Sequence, residues 1–157
     1  MRAFLLGFIL MATSLSVFAQ NLTEERIWKI SARKRSIFLD SGVFHYKSNT
    51  TGSVISGIRN SVISGRDYER LVIDFNSSGV PRLYGHISAV DNKLRVDFFD
   101  SSVSGVPTQL KNSKYVKGVD FLAIDPKNVT MEIALKGKSS FDIFYLENPG
   151  RLVIDIR

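Results

Sequence analysis

Leu71-Val72-Ile73-Asp74-Phe75 sets the pattern that decides the fold, because the chain repeats it as Leu94-Arg95-Val96-Asp97-Phe98 and as Leu152-Val153-Ile154-Asp155-Ile156. In each copy the apolar residues fall at alternate positions, the period of a strand with one buried face. The Asp takes the opposite phase, as does the basic residue before each Leu (Arg70, Lys93, Arg151). Each copy therefore predicts a strand with an apolar inner side and a charged outer side. Such strands build a scaffold that presents a surface rather than a catalytic pocket.

Working outward, the phrase belongs to a longer repetition. Gly57-Ile58 returns as Gly118-Val119, Leu71–Phe75 in apolar phase as Met131–Leu135, and Lys93–Phe98 as Arg151–Ile156. These matches share a spacing of roughly sixty residues, which predicts an internal duplication closed into one domain with a pseudo-twofold axis. Short strands and turn signals every eight to twelve residues or so predict an all-β fold: a small sandwich of two similar β-sheets. Val90-Asp91-Asn92-Lys93 reads as a hairpin turn, and Asn148-Pro149-Gly150 as a type II turn before the last strand. The inward phase assigns the core to Leu71, Ile73, Phe75, Leu94, Val96, Phe98, Met131, Ile133, Leu135, Leu152, Ile154 and Ile156.

The N-terminus reads as a targeting segment. Arg2 precedes the apolar run Ala3–Met11, and Val17-Phe18-Ala19 fits a cleavage site, so residues 1–19 are expected to be a signal peptide cut after Ala19. An uncleaved anchor is the alternative. The mature chain is then expected in the periplasm, with no stable membrane span after cleavage. Residues 20–53 form a leader with edge strands at Ile37–Asp40 and Val43–Tyr46 around the Ser41-Gly42 turn. A short helix is expected after the capping-box spacing of Asn21-Leu22-Thr23-Glu24. That helix either docks weakly, through an apolar edge of Ile27, Trp28 and Ile30, or tethers loosely. Residues 54–157 form the sandwich. The chain has no cysteine, so its core must hold it without disulfides. Its formal charge of +6 favours anionic partners, and export makes nucleic acid the least suitable of them.

The closing stretch Phe141–Ile156, with its Asn148-Pro149-Gly150-Arg151-Leu152-Val153-Ile154-Asp155 phrase, resembles the end of an AMIN domain. Tyr68–Phe75 is similar to that family's opening strand, and the likeness spans roughly residues 54 to 157. The resemblance implies a sandwich of two small sheets that binds peptidoglycan and localises envelope machinery. AMIN domains accompany amidase or secretin domains, and neither is recognisable after this stretch. The implied protein is thus a module acting by binding or through partners.

Catalysis finds little support in the residues. His45 and His86 stand far from any paired metal-ligand spacing, and no Gly-x-Ser-x-Gly elbow occurs. The recurring Asp residues are better placed for cross-strand pairing with Arg or Lys than for acid–base work. The expectation is a non-enzyme with no cofactor and no metal. For a glycan carrying carboxylates, physics asks for aromatic faces and basic groups. Arg82, Tyr84 and His86 share one strand phase, Tyr145 lies just before a turn, and Arg70, Arg95 and Arg151 are outward in phase. Those residues are the candidate ligand-binding set, with solvated or locally paired surface groups as the bland alternative. The expected partner is peptidoglycan or a wall-associated envelope protein. Two alternatives stay open: an envelope-complex docking domain that uses sheet edges, and an anionic-lipid binder.

Overall fold

The computed structural model of the chain describes residues 26–62 and 65–157. The expected signal peptide and the capping box at Asn21–Glu24 lie outside the described residues. The described chain forms eleven strands: β1 (Ile27–Lys29), β2 (Gly42–Tyr46), β3 (Ser53–Val62), β4 (Glu69–Phe75), β5 (Leu83–Ser88), β6 (Lys93–Phe99), β7 (Ser101–Val103), β8 (Val116–Asp125), β9 (Asn128–Leu135), β10 (Phe141–Leu146) and β11 (Arg151–Ile156). They pair into a six-stranded sheet, β1-β2-β5-β6-β9-β8, and a five-stranded sheet, β10-β11-β4-β3-β7. We call these sheets A and B. They enclose one continuous apolar core.

The three repeated phrases are β4, β6 and β11, and every core residue read from their phase and that of β9 is buried. β4 shows the alternation most plainly: Leu71, Ile73 and Phe75 are buried while Arg70, Val72 and Asp74 are only partly covered. Strand alternation thus fixes which side chains leave water, and each fully buried Leu, Ile or Phe stabilises by about 1.5–3 kcal/mol.

The duplication is expressed as an exchange of strands between sheets. Pairing β3 with β8, β4 with β9, β5 with β10 and β6 with β11 turns the order β5-β6-β9-β8 of sheet A into β10-β11-β4-β3 of sheet B. Each sheet therefore takes two strands from each repeat, and neither repeat could close a core alone. The match extends to irregularities. β3 shifts register between Ile55 and Gly57 against β4, and β8 shifts between Val116 and Gly118 against β9. Both bulges sit where the repeats carry their matching Gly.

Three expectations differ from the structure. The leader is not helical among its described residues: Ile27–Lys29 is a strand, parallel to β2 at the edge of sheet A. Trp28, expected on a helix edge, packs its ring 5.5 Å from that of Phe44. The pattern Ile27, Trp28, Ile30 has too few apolar positions to demand a helix, and an open sheet edge offered more pairing.

Residues 37–40 are not a strand hairpinned to β2. Leu39 makes a single antiparallel bridge to Phe141 of sheet B, and the chain then crosses to sheet A at Ser41-Gly42. Ile37 is 60% exposed, so this stretch lacks the buried alternation a strand requires.

At Asn148-Pro149-Gly150 the left-handed residue is Asn148 (φ 56°), with the Asn148–Pro149 peptide cis, so the turn is not type II. Gly150 serves close approach instead, since a Cβ there would lie 2.3 Å from the Gly79 carbonyl oxygen.

Candidate functional site

β5 and the residue just before it place Arg82, Tyr84 and His86 in a line because outward positions along an extended chain recur every second residue. What holds this strand flat is its inward residue Gly85. The ring of Phe44, fully buried, lies where a Cβ of residue 85 would be, 2.1 Å from its nearest carbon. Leu83 and Ile87 flank that contact and anchor the strand in the core.

The outward face of sheet A is read off as rows across the strands. One row runs His45, Tyr84, Asp97, Thr130, Leu122, and the next Val43, His86, Arg95, Glu132, Asp120. Arg82 lies beyond the first row, its guanidinium 4.4 Å over the Phe99 ring. Arg82 is exposed, Tyr84 is 43% exposed, and Leu122 and Ile124 are 53% and 65% exposed at the far side of the sheet. The face thus carries exposed Tyr84 with a stacked cation beside it at one side and exposed apolar residues at the other, with Asp97 and Thr130 between them.

The charges on this face divide into paired and available ones. Glu132 accepts hydrogen bonds from Lys93 (2.6 Å) and Arg95 (3.0 Å), and Arg95 also lies 3.7 Å from Asp91. The Lys93 ammonium beside it holds the Glu132 carboxyl below the usual carboxylate range, with Arg95 adding to the effect. Asp97 accepts from the Thr130 hydroxyl at 2.6 Å. The Arg82 guanidinium makes no ion pair among the described residues. Arg95, by contrast, is committed to carboxylates of its own sheet.

The remaining candidates lie elsewhere. Arg70 is on sheet B, where its guanidinium donates to both oxygens of Asp155 at 2.7 and 2.9 Å. That pair is the cross-strand Asp–Arg pairing read from the sequence, and what the outward phase did not foretell is that Asp155 is fully buried. Asp74 keeps its outward charge, paired bidentately with Arg59 at 2.9 and 3.1 Å. Tyr145 faces inward beside Tyr46, ring centroids 4.3 Å apart, and burial with this neighbour pushes the Tyr46 hydroxyl up to about 12. Arg151 stands at the start of β11 opposite Asp74, with only a 3.4 Å contact to the Pro149 carbonyl. The structure brings together Arg82, Tyr84, His86 and Arg95, and leaves Arg70, Tyr145 and Arg151 apart.

Phe99 and Leu122 join the face without having been read as candidates. The signal for Phe99 was the doubled aromatic after Asp97, which puts one ring inward and the next outward. Leu122 gave no such signal, because its outward phase depends on the Gly118 bulge.

A cleft of about 250 Å³ opens at one end of the sandwich, between Ser88, Asn92, Lys138 and Arg157, and none of the candidate residues lines it. Among the described residues no group of three or more His, Cys, Asp or Glu side chains is placed to hold a metal ion. No protein-family model matches the chain, and no curated protein matches it as a relative.

Proposed function

We propose that the chain is an exported, non-catalytic binding module that attaches to peptidoglycan through the outer face of sheet A. The observation that carries this reading is the line Arg82–Tyr84–His86 on the outer face of the sheet, with Arg82 stacked on Phe99 and in no ion pair among the described residues. A Tyr face 43% exposed can stack on a sugar ring, and a guanidinium can grip a carboxylate bidentately. The resemblance of Phe141–Ile156 to the end of an AMIN domain supports the same reading, as does the basic charge of +6.

Sedimentation of the mature protein with insoluble peptidoglycan tests it. The expected result is co-sedimentation that weakens with salt and falls at least several-fold in Arg82→Ala and Tyr84→Ala. Absence of co-sedimentation at low salt overturns the proposal.

A second reading, docking to an envelope protein, has its own observation. The edge strand β8 is ten residues long and carries exposed Leu122 and Ile124 beyond its first bulge. Under that reading Leu122→Lys abolishes partner capture while Arg82→Ala leaves it intact.

A further inference from the structure

Sheet B has outward positions that no water reaches. Asp142, Phe144, Val153 and Asp155 are outward in strand phase on β10 and β11, yet all are buried. Residues 31–39 cover them. This arm is tied to β10 at both ends, by the Tyr145 N–H donating to the Ser31 carbonyl at 3.0 Å and by reciprocal bonds between Leu39 and Phe141 at 2.9 and 2.8 Å. Between the ties it folds over the sheet. The Ser36 N–H donates to Asp142 at 2.8 Å, and the Lys34 ammonium donates to Asp155 at 2.5 Å. The same ammonium lies 3.8 Å over the Tyr68 ring.

The duplicated half shows that the scaffold does not require this cover. By strand equivalence the row Asp142, Asp155, Arg70, Ser61 corresponds to Tyr84, Asp97, Thr130, Leu122 on sheet A. There the Asp is satisfied by a Thr hydroxyl, and Tyr84 and Leu122 of the same row stay exposed among the described residues. On sheet B the row has instead gained a second carboxylate and a clamped Arg, and a lysine has been brought to it from far away in sequence. A buried carboxylate facing a lysine across an aromatic ring is a recognition geometry for an ammonium group. Contact between arm and sheet is also incomplete, since a cavity of about 80 Å³ lies between Ile30, Ile37, Leu39 and Phe141.

We propose that the outer face of β10 and β11 is a binding groove for a lysine-bearing extended peptide, and that residues 31–39 are its resident, displaceable occupant. Asp155 and Tyr68 select the ammonium, Arg70 orients Asp155, and Asp142 receives a backbone N–H two residues beyond the lysine. A competing segment with the same Lys-x-backbone N–H spacing would exchange with the arm in trans. This groove is independent of the reading given to sheet A, which lies on the other side of the core.

The test uses the full chain and a labelled synthetic peptide with the sequence of Ile27–Asp40. Lys34→Met vacates the ammonium pocket while keeping the apolar stem. The expected result is that this variant binds the peptide at least tenfold more tightly than the wild-type chain does. Adding Asp155→Asn abolishes the gain, and a peptide with the same Lys→Met change does not bind. Trp28, the one tryptophan of the chain, reports arm release through its emission, and trypsin cuts faster at Arg33 and Arg35 in Lys34→Met. Lys34→Arg, which keeps the charge and controls for folding, holds the arm as the wild type does. The proposal is overturned if Lys34→Met leaves Trp28 emission and tryptic cleavage unchanged. It is equally overturned if the loosened variant fails to bind the peptide or binds it regardless of Asp155.

Discussion

Arg70 and Arg82 both occupy outward strand phase, yet the structure gives them opposite jobs, and truncating each to Ala separates the two. Arg70 donates both of its hydrogen bonds to a carboxylate whose side chain is 0% exposed. Removing it leaves Asp155 with Lys34 alone. Stripping the partner from a buried charge costs about 3–5 kcal/mol, and the surviving Lys34 contact sets the expected loss near the lower end, about 3 kcal/mol. Arg82 is exposed and holds only the Phe99 ring, an interaction of about 0.5–1 kcal/mol. With roughly 3 °C of Tm per kcal/mol for a domain of this size, Arg70→Ala should melt about 9 °C lower and Arg82→Ala within about 3 °C of wild type. Urea unfolding followed by far-UV circular dichroism gives the free energies. Peptidoglycan sedimentation at 20 °C or so, where both variants stay folded, gives the binding. Binding should fall about tenfold or more in Arg82→Ala, as expected for a lost charged hydrogen bond, and persist in Arg70→Ala. Equal stability losses would refute the energetic reasoning. Loss of binding in folded Arg70→Ala would refute the assignment of the face.

Other perturbations read other parts of the fold. Glu69 is fully buried and takes the Ser113 hydroxyl, the Lys114 and Tyr115 N–H groups and the Asn60 amide, so Glu69→Gln, which replaces an acceptor with a donor, should cost about 2–3 kcal/mol and speed hydrogen exchange at 113–115. Gly85→Ala pushes a methyl into the Phe44 ring and should destabilise by about 1–3 kcal/mol or more, measured by urea midpoint. Burial raises the Asp142 carboxyl above its ordinary value, more than the Ser36 and Arg35 N–H groups and Lys34 lower it, with Asp155 also raising it. Its contribution is therefore full below the unfolded pKa and is lost as pH rises through the folded one. Asp142→Asn should accordingly gain on the wild type as pH rises from 4 to 7, a trend followed by urea midpoints, and a gain confined to acid would contradict the sign.

Strand phase carried most of the fold because burial on one face leaves a two-residue period in the letters themselves. The core of β4, β6, β9 and β11 was readable for that reason, and the duplication was readable because both copies kept their Gly at the bulge. The exchange of strands between sheets was not, since spacing along the chain is the same whichever sheet a strand joins. Phase also misled where a distant segment covers an outer face. Asp155 and Asp97 occupy the same place in the same phrase, and only the arm makes one buried and the other partly open. Arg82, Tyr84 and His86 were legible as a group because one extended stretch, β5 and the residue before it, supplies all three. Tyr145 was misplaced because its neighbour Phe144 shares its aromatic character and the phase of β10 is set by Phe141 and Ile143, both buried.

The repeated phrases β6 and β11 have diverged on their outer faces while keeping apolar inner ones. Inward, Leu94, Val96 and Phe98 are matched by Leu152, Ile154 and Ile156, all apolar and buried, with the smaller Val96 and the larger Phe98 each set against an isoleucine. Outward, Arg95 with Glu132 on sheet A answers to Val153 with Val72 on sheet B, where one member is buried under the arm. A core tolerates only changes that conserve volume and apolar character, whereas an outer face is free to change once folding no longer depends on it. Divergence on the outer faces of these two strands is then a physical record of where the two surfaces acquired different contacts. One was given to a segment of the same chain. The other keeps Tyr84 exposed and Arg82 stacked on Phe99, and on the proposed reading of that face, grafting Asp142-Asp155-Arg70 chemistry onto it (Tyr84→Asp with Thr130→Arg) should convert it from gripping carboxylates to binding the lysine peptide. A double variant that folds, loses peptidoglycan and still ignores the peptide would show that the arm's backbone ties, and not this row of side chains, define the groove.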